Sequence, residues 1–259
     1  MNRLACLLTV ILMTSSVLFA QDADLLPYFE AKRHIEGNDT LPYLLYCSSK
    51  AETTEDALPL VVFLHGAGER GNNNTDQLRH CIRFFLDDSV TTRYPFLLLA
   101  PQCPTEQRWV NTDWRLMEHE MDPEPTVQLQ AVFTIIDSLV ASGSADPSRV
   151  YISGISMGGF GVWDAIQRHP EKFAAAIAVC GGGDPHYAQG IKEMPIYIFH
   201  GQRDKLVKPS RSQQMYDALK EAGSMEAVYV TYPNQGHLCW DQAFATPGLF
   251  KWLFSKKKD

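Results

Sequence analysis

A serine between two glycines, in residues 149–159 (RVYISGISMGG), constrains the fold of this chain more than any other feature. The residues before the serine predict a strand, and those after it favour a helix. A serine at such a junction lies on a tight, strained bend that pushes its hydroxyl out of the sheet. Gly154 and Gly158 leave room for the neighbouring strand and helix at that bend. The motif therefore predicts Ser156 as a nucleophile, with the backbone N–H of Met157 directed at the same point.

Apolar runs alternate with amphipathic stretches from about residue 40 onward. Continuous apolar segments at 58–64 and 94–100 are typical of strands buried on both faces of a parallel sheet. Residues 127–140 repeat apolar side chains at helical spacing, and Asp146-Pro147 predicts the break after them. The alternation predicts a single α/β domain, with a mostly parallel sheet and helices on both faces. Further elements are predicted as strands at 173–180, 194–199 and 227–232, and helices at 159–168, 210–222 and 240–254.

Residues 1–20 are predicted to be a signal peptide. Arg3 precedes an apolar run from Leu4 to Phe19, and Ala20 ends that run with a small side chain. The run is too short and too early to predict a permanent membrane span, although a membrane-retained N-terminus is the alternative. We therefore expect a secreted or periplasmic protein whose mature domain comprises residues 21–259.

The charge balance argues against two classes of partner. The sequence has a net charge of −7, and loss of residues 1–20 leaves −8 because Arg3 is their only charged residue. Such a surface repels nucleic acid and anionic membranes, so neither is expected to bind.

No Cys-x-x-Cys pair or histidine-rich spacing predicts a metal or a cofactor. Five cysteines follow the leader, an odd number whose pairing stays open, as does the oligomeric state: Cys47, Cys81, Cys103, Cys180 and Cys239.

A glycine-rich segment, residues 65–71 (HGAGERG), directly follows the predicted strand at 58–64. Its glycines allow the backbone to turn across the sheet edge and to direct an N–H at the strained bend around Ser156, residues 154–158, called the elbow below. Ala67 is the expected second oxyanion donor beside Met157. An ordinary strand-to-helix turn is the alternative, and His65 is interpreted as a buried brace rather than a catalytic base.

Two later loops supply a candidate acid and base. Asp204 and His237 each follow a predicted strand, and the carboxyl ends of parallel strands are where open α/β sheets assemble their sites. A serine nucleophile needs a base in hydrogen-bond reach, and that base needs a carboxylate to orient it. Asp184 is the alternative acid, although the neighbouring Pro185 favours a helix N-cap. The remaining histidines are interpreted as surface or bracing residues: His80, His119, His169, His186 and His200.

Together these motifs resemble the α/β-hydrolase superfamily along nearly the whole mature chain. The resemblance is carried by residues 65–71, 146–151, 154–159 and 236–240. More closely, the chain is similar to secreted bacterial esterases of the polyhydroxybutyrate-depolymerase and carbohydrate-esterase type, which include phospholipase/carboxylesterase and prolyl-oligopeptidase-like proteins. This resemblance implies acyl transfer through a serine ester, with Ser156, Asp204 and His237 as the triad. It does not name the substrate.

Three tryptophans are candidate substrate contacts. Trp109 and Trp114 fall in a loop expected to border the cleft, and Trp240 follows His237. Aromatic faces there suit a sugar ring or an aryl acyl group, whereas packing of the loop onto the body is the alternative for the first two. Only about a dozen residues separate Cys180 from the next predicted strand, so no large lid is expected.

We therefore interpret the chain as an exported serine esterase. The expected substrates are acyl or feruloyl esters of polysaccharides, or related small esters. A serine peptidase of the prolyl-oligopeptidase-like type is the enzymatic alternative, and a non-catalytic binding protein with a hydrolase fold is a second one.

Overall fold

The computed structural model of the protein describes residues 24–48 and 56–258, so the predicted signal peptide lies outside the described residues. Within them, eight strands form one sheet in the order β1-β2-β4-β3-β5-β6-β7-β8. The strands are β1 (Phe29–Glu36), β2 (Asp39–Cys47), β3 (Leu58–Leu64), β4 (Leu97–Pro101), β5 (Ala145–Ile155), β6 (Ala175–Val179), β7 (Ile196–Gly201) and β8 (Ala227–Tyr232). Strands β3 to β8 are mutually parallel, whereas β2 pairs antiparallel with both β1 and β4.

Helices cover both faces of the sheet. Those in the described residues are α1 (Ile82–Phe85), α2 (Asp88–Thr91), α3 (Val127–Ala141), α4 (Met157–Arg168), α5 (Ser210–Glu221), α6 (Trp240–Phe244) and α7 (Leu249–Ser255). Alternate residues of β3 face opposite ways, because strand side chains have a period of two. Leu60 and Val62 pack in the layer formed with α3, α4 and α5, while Val61 and Phe63 pack in the layer with α1, α6 and α7. The predicted fold class, a mostly parallel sheet between two helical layers, is confirmed.

The N-terminal hairpin was not predicted. Strands β1 and β2 pair from Phe29↔Tyr46 to Glu36↔Asp39, which leaves Gly37-Asn38 as a two-residue turn with Gly37 at φ +59°. A Gly-Asn pair between two strands is a hairpin signal. It is a weak one here, because most side chains of β1 are exposed and show no continuous apolar pattern.

Among the predicted boundaries that differ from the structure, two have a clear physical reason. Strand β5 already begins at Ala145 and includes Asp146-Pro147, since its pairing with β3 shifts register between Leu58 and Leu60 and accommodates the proline. The closing helix is two helices, α6 and α7. Pro247 has no N–H to donate and Gly248 has φ +81°, so the chain turns there before α7 begins.

The carboxyl ends of β3 to β8 place the functional loops along one edge of the sheet. The loop after β4, residues 102–126, contains no helix or strand and is called the strap below. The connection between β6 and β7 contains only a short 3₁₀ helix, Pro185–Ile191, so the prediction of no large lid is confirmed for the described residues. Within the same residues, we find no helix that is both long and apolar enough to span a membrane.

Candidate active site

Ser156 lies on a strained bend between β5 and α4. Its backbone has φ +53° and ψ −117°, a combination that side-chain-bearing residues rarely adopt. The bend is tight enough that a Cβ on Gly158 would lie 1.9 Å from the carbonyl oxygen of Leu64, and one on Gly154 would lie 2.5 Å from the oxygen of Gly158. Only glycine fits at both positions. The two glycines of the sequence motif therefore allow the elbow to pack against β3.

The structure brings the three predicted triad residues into one hydrogen-bonded chain. His237 Nε2 lies 2.8 Å from Ser156 Oγ, and His237 Nδ1 lies 2.6 Å from Asp204 Oδ2. The carboxylate fixes the tautomer: Nδ1 carries the hydrogen, which leaves the Nε2 lone pair to accept the serine proton. This arrangement supplies a nucleophile, a base and an acid in reach of one another.

The Asp204 side chain is completely buried and has several donors. Its Oδ1 accepts the backbone N–H groups of Leu206 and Val207, and its Oδ2 accepts His237 and also His200 Nε2 at 3.1 Å. Burial by itself would raise the pKa of this carboxyl, but hydrogen bonds from the two histidines hold it well below its usual range. Asp204 is therefore ionised wherever His237 acts as a base.

His200, which the sequence analysis interpreted as a surface or bracing residue, contacts the candidate acid. Its Nε2 faces two acceptors, Asp204 Oδ2 and Val207 O, so that nitrogen carries a hydrogen. Its Nδ1 lies 2.7 Å from Ser212 Oγ, which also contacts the carbonyl of Gly181. The signal that could have found this contact is a histidine near the end of a buried strand, four residues before a candidate acid.

His65 braces the glycine-rich loop of residues 65–71, called the oxyanion loop below, as the sequence predicted. Its Nε2 accepts the backbone N–H of Cys103 at 2.9 Å, and its Nδ1 therefore donates to Gly66 O at 2.6 Å. Burial lowers the pKa of His65 to about 4, so the ring is neutral. Because the C=O and N–H of a trans peptide point in opposite directions, fixing the carbonyl of Gly66 directs the N–H of Ala67 the other way.

The oxyanion loop also lies against the elbow. A Cβ on Gly66 would lie 3.6 Å from Ser156 Cβ, so the Gly66–Ala67 peptide is adjacent to the nucleophile. Met157 opens α4, where the first N–H groups have no partner inside the helix. Ala67 and Met157 thus both lie beside Ser156, and among the hydrogen bonds described neither backbone N–H has an acceptor.

Glu69 is a buried carboxyl that the sequence analysis did not single out. Its pKa is raised by burial and moderated by His80, whose Nε2 lies 3.6 Å from Glu69 Oε1. A Cβ on Gly66 would come within 3.0 Å of its Oε2, so the side chain folds back over its own loop. Glu69 therefore fills the interior of the turn that carries Ala67.

Asp184, the alternative acid, is used elsewhere. Its Oδ1 accepts the N–H of His186 at 3.0 Å and caps the 3₁₀ helix, while its Oδ2 accepts the N–H of Met121 at 2.9 Å. This is the N-cap role that the neighbouring Pro185 favoured. Asp184 thereby links the strap to the loop after β6.

The tryptophans differ in what they can offer a ligand. Trp109 is fully buried and its ring N–H donates to His65 O, so the expectation of a substrate contact at Trp109 is corrected: it packs the strap onto the body. Trp114 is partly buried, with the Arg108 guanidinium 4.6 Å above its ring. Trp240 is 8% exposed, and its ring meets that of His237 edge-on at 5.6 Å between centroids. Trp240 therefore supports the candidate base.

The comparison with protein families is consistent with this geometry. The model of the phospholipase/carboxylesterase family matches residues 47–247, which include all three triad positions. The chain belongs to this family. Membership accounts for the fold and for the serine elbow at one edge of its sheet.

Three relatives illustrate the likeness. A solved structure of a thermostable esterase is 32% identical with a TM-score of 0.81, and the match covers 90% of this chain and 64% of that chain. A Nocardia uniformis subsp. tsuyamanensis protein named as an esterase is 23% identical over 180 residues, 68% of this chain and 48% of that protein. A bifunctional acetylxylan esterase/xylanase from Neocallimastix patriciarum is 34% identical over 121 residues, 44% of this chain and 17% of that enzyme. The chain thus spans about half or less of these two curated relatives.

Proposed function

We propose that the protein is a serine esterase that hydrolyses carboxylic esters through a covalent acyl-enzyme. The observation that carries this proposal is the continuous hydrogen-bonded chain from Ser156 Oγ through His237 to Asp204. Family membership supports the same reaction class. The proposal assigns a role to each of the residues in this chain.

The reaction follows from the contacts. Ser156 Oγ attacks the ester carbonyl while its proton passes to His237 Nε2, and Asp204 stabilises the imidazolium that results. The N–H groups of Met157 and Ala67 hold the negative oxygen of the tetrahedral intermediate. His237 then donates its proton to the leaving alcohol, which gives the acyl-serine. A water molecule, deprotonated by His237 in the same way, releases the acid and restores Ser156.

We further propose acyl or feruloyl esters of polysaccharides, or related small esters, as the substrate class. The acetylxylan esterase relative supports the carbohydrate side of this proposal. The lack of a large lid among the described residues supports access by an ester on a bulky chain. Leu206 and Leu238, close in sequence to Asp204 and His237, are 60% and 72% exposed and supply apolar surface for an acyl or aryl group. Export, as the leader predicts, places such an enzyme where polymeric substrates occur.

The nucleophile is tested with Ser156→Ala and with Ser153→Ala as its matched control. Ser153 lies in the same buried strand, and its hydroxyl bonds only the backbone of Val62 among the contacts described. Ser156→Ala is expected to lower the hydrolysis of p-nitrophenyl acetate by about 10³- to 10⁶-fold and to abolish labelling by a fluorophosphonate probe. Ser153→Ala is expected to keep both. Labelling of a different serine contradicts the assignment.

The substrate class is tested by comparing kcat/KM values. We expect an acetylated xylo-oligosaccharide or methyl ferulate to be cleaved at least as well as p-nitrophenyl acetate, and a chromogenic acyl-peptide to be cleaved poorly. Preference for the peptide favours the peptidase alternative. Preference for long-chain triglycerides removes the carbohydrate-ester proposal and leaves a general carboxylesterase.

A further inference from the structure

Two buried cysteines meet directly behind the candidate base. Cys180 follows β6 and Cys239 precedes α6, and their Sγ atoms lie 3.3 Å apart although 59 positions separate them in sequence. Both side chains are essentially inaccessible, at 0% and 1% exposure. A disulfide needs its two sulfurs about 2.05 Å apart, so a shift of little more than 1 Å converts this contact into a bond.

The pair lies against the loops that hold the candidate acid and the candidate base. Cys180 Sγ lies 3.4 Å from the carbonyl oxygen of His237, and the backbone N–H of Gly201 donates toward both sulfurs. Cys180 Sγ, a carboxylate oxygen of Asp204 and a ring nitrogen of His237 all lie within 4.8 Å of one another. A covalent bond here would therefore join the end of β6 to the loop that carries the base.

We propose that Cys180 and Cys239 form an intramolecular disulfide when the chain folds in the presence of a low-molecular-weight disulfide such as oxidised glutathione, and that this bond fixes the His237 loop against β6. The proposal does not rest on the esterase assignment. Because both sulfurs are buried in the folded chain, oxidation takes place before the loop after β8 has closed.

The chemistry balances with glutathione as the oxidant. The Cys239 thiolate attacks one sulfur of oxidised glutathione, so that a mixed disulfide forms and one glutathione thiolate leaves. Cys180 then loses its proton and attacks Cys239 Sγ, which releases the second glutathione. Two cysteines are oxidised and one oxidised glutathione becomes two reduced molecules.

Position distinguishes this pair from the other cysteines. Cys81 and Cys103 are buried in the body, and Cys47 ends β2 at an exposed position. A bond between Cys180 and Cys239 closes a long loop, which restricts the unfolded chain strongly. We therefore expect a clear thermal stabilisation from a single crosslink.

The test is oxidative refolding of the wild-type chain, followed by alkylation and tryptic mapping without reductant. We expect a crosslinked species joining peptides 173–192 and 221–251, and a melting temperature that falls by about 5–15 °C when the bond is reduced. Cys239→Ser should lack the crosslink and the response to reductant, whereas the matched control Cys47→Ser should keep both.

Three outcomes would overturn the proposal. They are full alkylation of both cysteines after oxidative refolding, a crosslink from either cysteine to a different one, and a bond whose reduction leaves the melting temperature within 1 °C. If Cys239→Ser does not fold, the comparison of oxidised and reduced wild-type protein still shows whether the proposed bond forms and whether it stabilises the chain. None of these readouts requires catalytic activity, so failure here is distinguishable from failure of the proposed function.

Discussion

The chain contains two His-Gly pairs at the carboxyl ends of buried strands, and the two histidines have different hydrogen-bond partners. His65 follows β3, and its two ring nitrogens bond neutral backbone groups, the N–H of Cys103 and the C=O of Gly66. His200 lies near the end of β7 and donates from Nε2 to the Asp204 carboxylate. Neither residue touches Ser156 in the described contacts. The same dipeptide therefore supports the oxyanion side of the site in one place and the acid side in the other.

The difference lies in what each ring faces rather than in burial, since both side chains are at most 1% exposed. A backbone donor at Nε2 makes His65 an acceptor there and keeps it neutral. A carboxylate and a carbonyl at Nε2 make His200 a donor there. The groups that face the ring nitrogens thus decide which nitrogen of each buried histidine carries a hydrogen. The two sides of the site should therefore respond differently to substitution and to pH.

The largest expected effect is on the acid side. Asp204→Asn keeps the size of the side chain but removes the charge that orients His237, so kcat should fall by about 10³- to 10⁴-fold. Asp184→Asn is the matched control, because Asp184 is also a buried acid but caps a 3₁₀ helix, and its kcat should stay within about threefold. Steady-state kinetics on p-nitrophenyl acetate measures both. The reverse ranking would move the acid to Asp184.

The next effect concerns the pH dependence of stability. The pKa of His65 is about 4 in the folded chain and about 6.5 when unfolded, so the unfolded chain binds more protons between these values. The contribution of His65 to the free energy of unfolding is therefore fully present above pH 6.5 and falls by about 3 kcal/mol as the pH drops to 4.

Urea unfolding between pH 4 and 7 measures this slope. The slope of the unfolding free energy against pH reports how many more protons the unfolded chain binds, and His65→Gln should lower this number by up to about one. The comparison with wild type separates the contribution of His65 from that of His119, a second histidine whose pKa is lowered to about 4. Equal slopes for wild type and His65→Gln would show that His65 is not held neutral.

On the oxyanion side, the two amide substitutions of His65 should separate. Asn places its amide near the position of Nδ1 and can still donate to Gly66 O, whereas Gln places its amide near Nε2 and cannot. We expect kcat to fall by about 10- to 100-fold in His65→Gln and by less than about 10-fold in His65→Asn, because a misdirected Ala67 N–H weakens the oxyanion contact. A larger loss in His65→Asn would mean that the Cys103 contact, not the Gly66 contact, holds the loop.

The smallest effect is expected at His200, where the preference reverses. Gln keeps an amide donor near Nε2, but Asn does not reach Asp204, so His200→Asn should lower kcat by about tenfold and His200→Gln by less. Loss of that donor leaves more negative charge facing the imidazolium of His237, so the acidic limb of the kcat–pH profile should move to higher pH in His200→Asn. An unchanged profile would reduce His200 to a packing residue.

The sequence predicted those parts of the fold and site that depend on local pattern. The parallel strands and the elbow follow from continuous apolar runs and from two glycines, and Ser156, Asp204 and His237 follow from their positions after strands. The β1–β2 hairpin was missed because its exposed first strand has no apolar signature. The split of the closing helix was missed although Pro247-Gly248 marks it.

What the sequence left open depends on contacts between distant residues. The role of His200 requires knowing that its Nε2 faces Asp204, and the partner of Cys180 requires knowing that β6 and the loop after β8 converge. The burial of Trp109 likewise depends on a contact between residues that are distant in sequence. A tryptophan in a loop reads equally as a binding surface or as an anchor until its ring N–H is seen to bond His65 O.

Several of the contacts that hold the strap use its own backbone, in addition to the buried side chain of Trp109. Its fixed points include the N–H of Cys103, the carbonyl of Trp109, the N–H of Met121 and the carbonyl of Asp122, bound respectively by His65, Thr126, Asp184 and Arg168. Three of these four binding side chains, those of His65, Asp184 and Arg168, lie outside the strap, and Thr126 is its last residue. Exposed strap positions such as Leu116 and Met117 can therefore be exchanged without loosening the segment. The strap is accordingly the part of this scaffold on which substrate preference can be redesigned, or can drift during evolution, at little cost to stability.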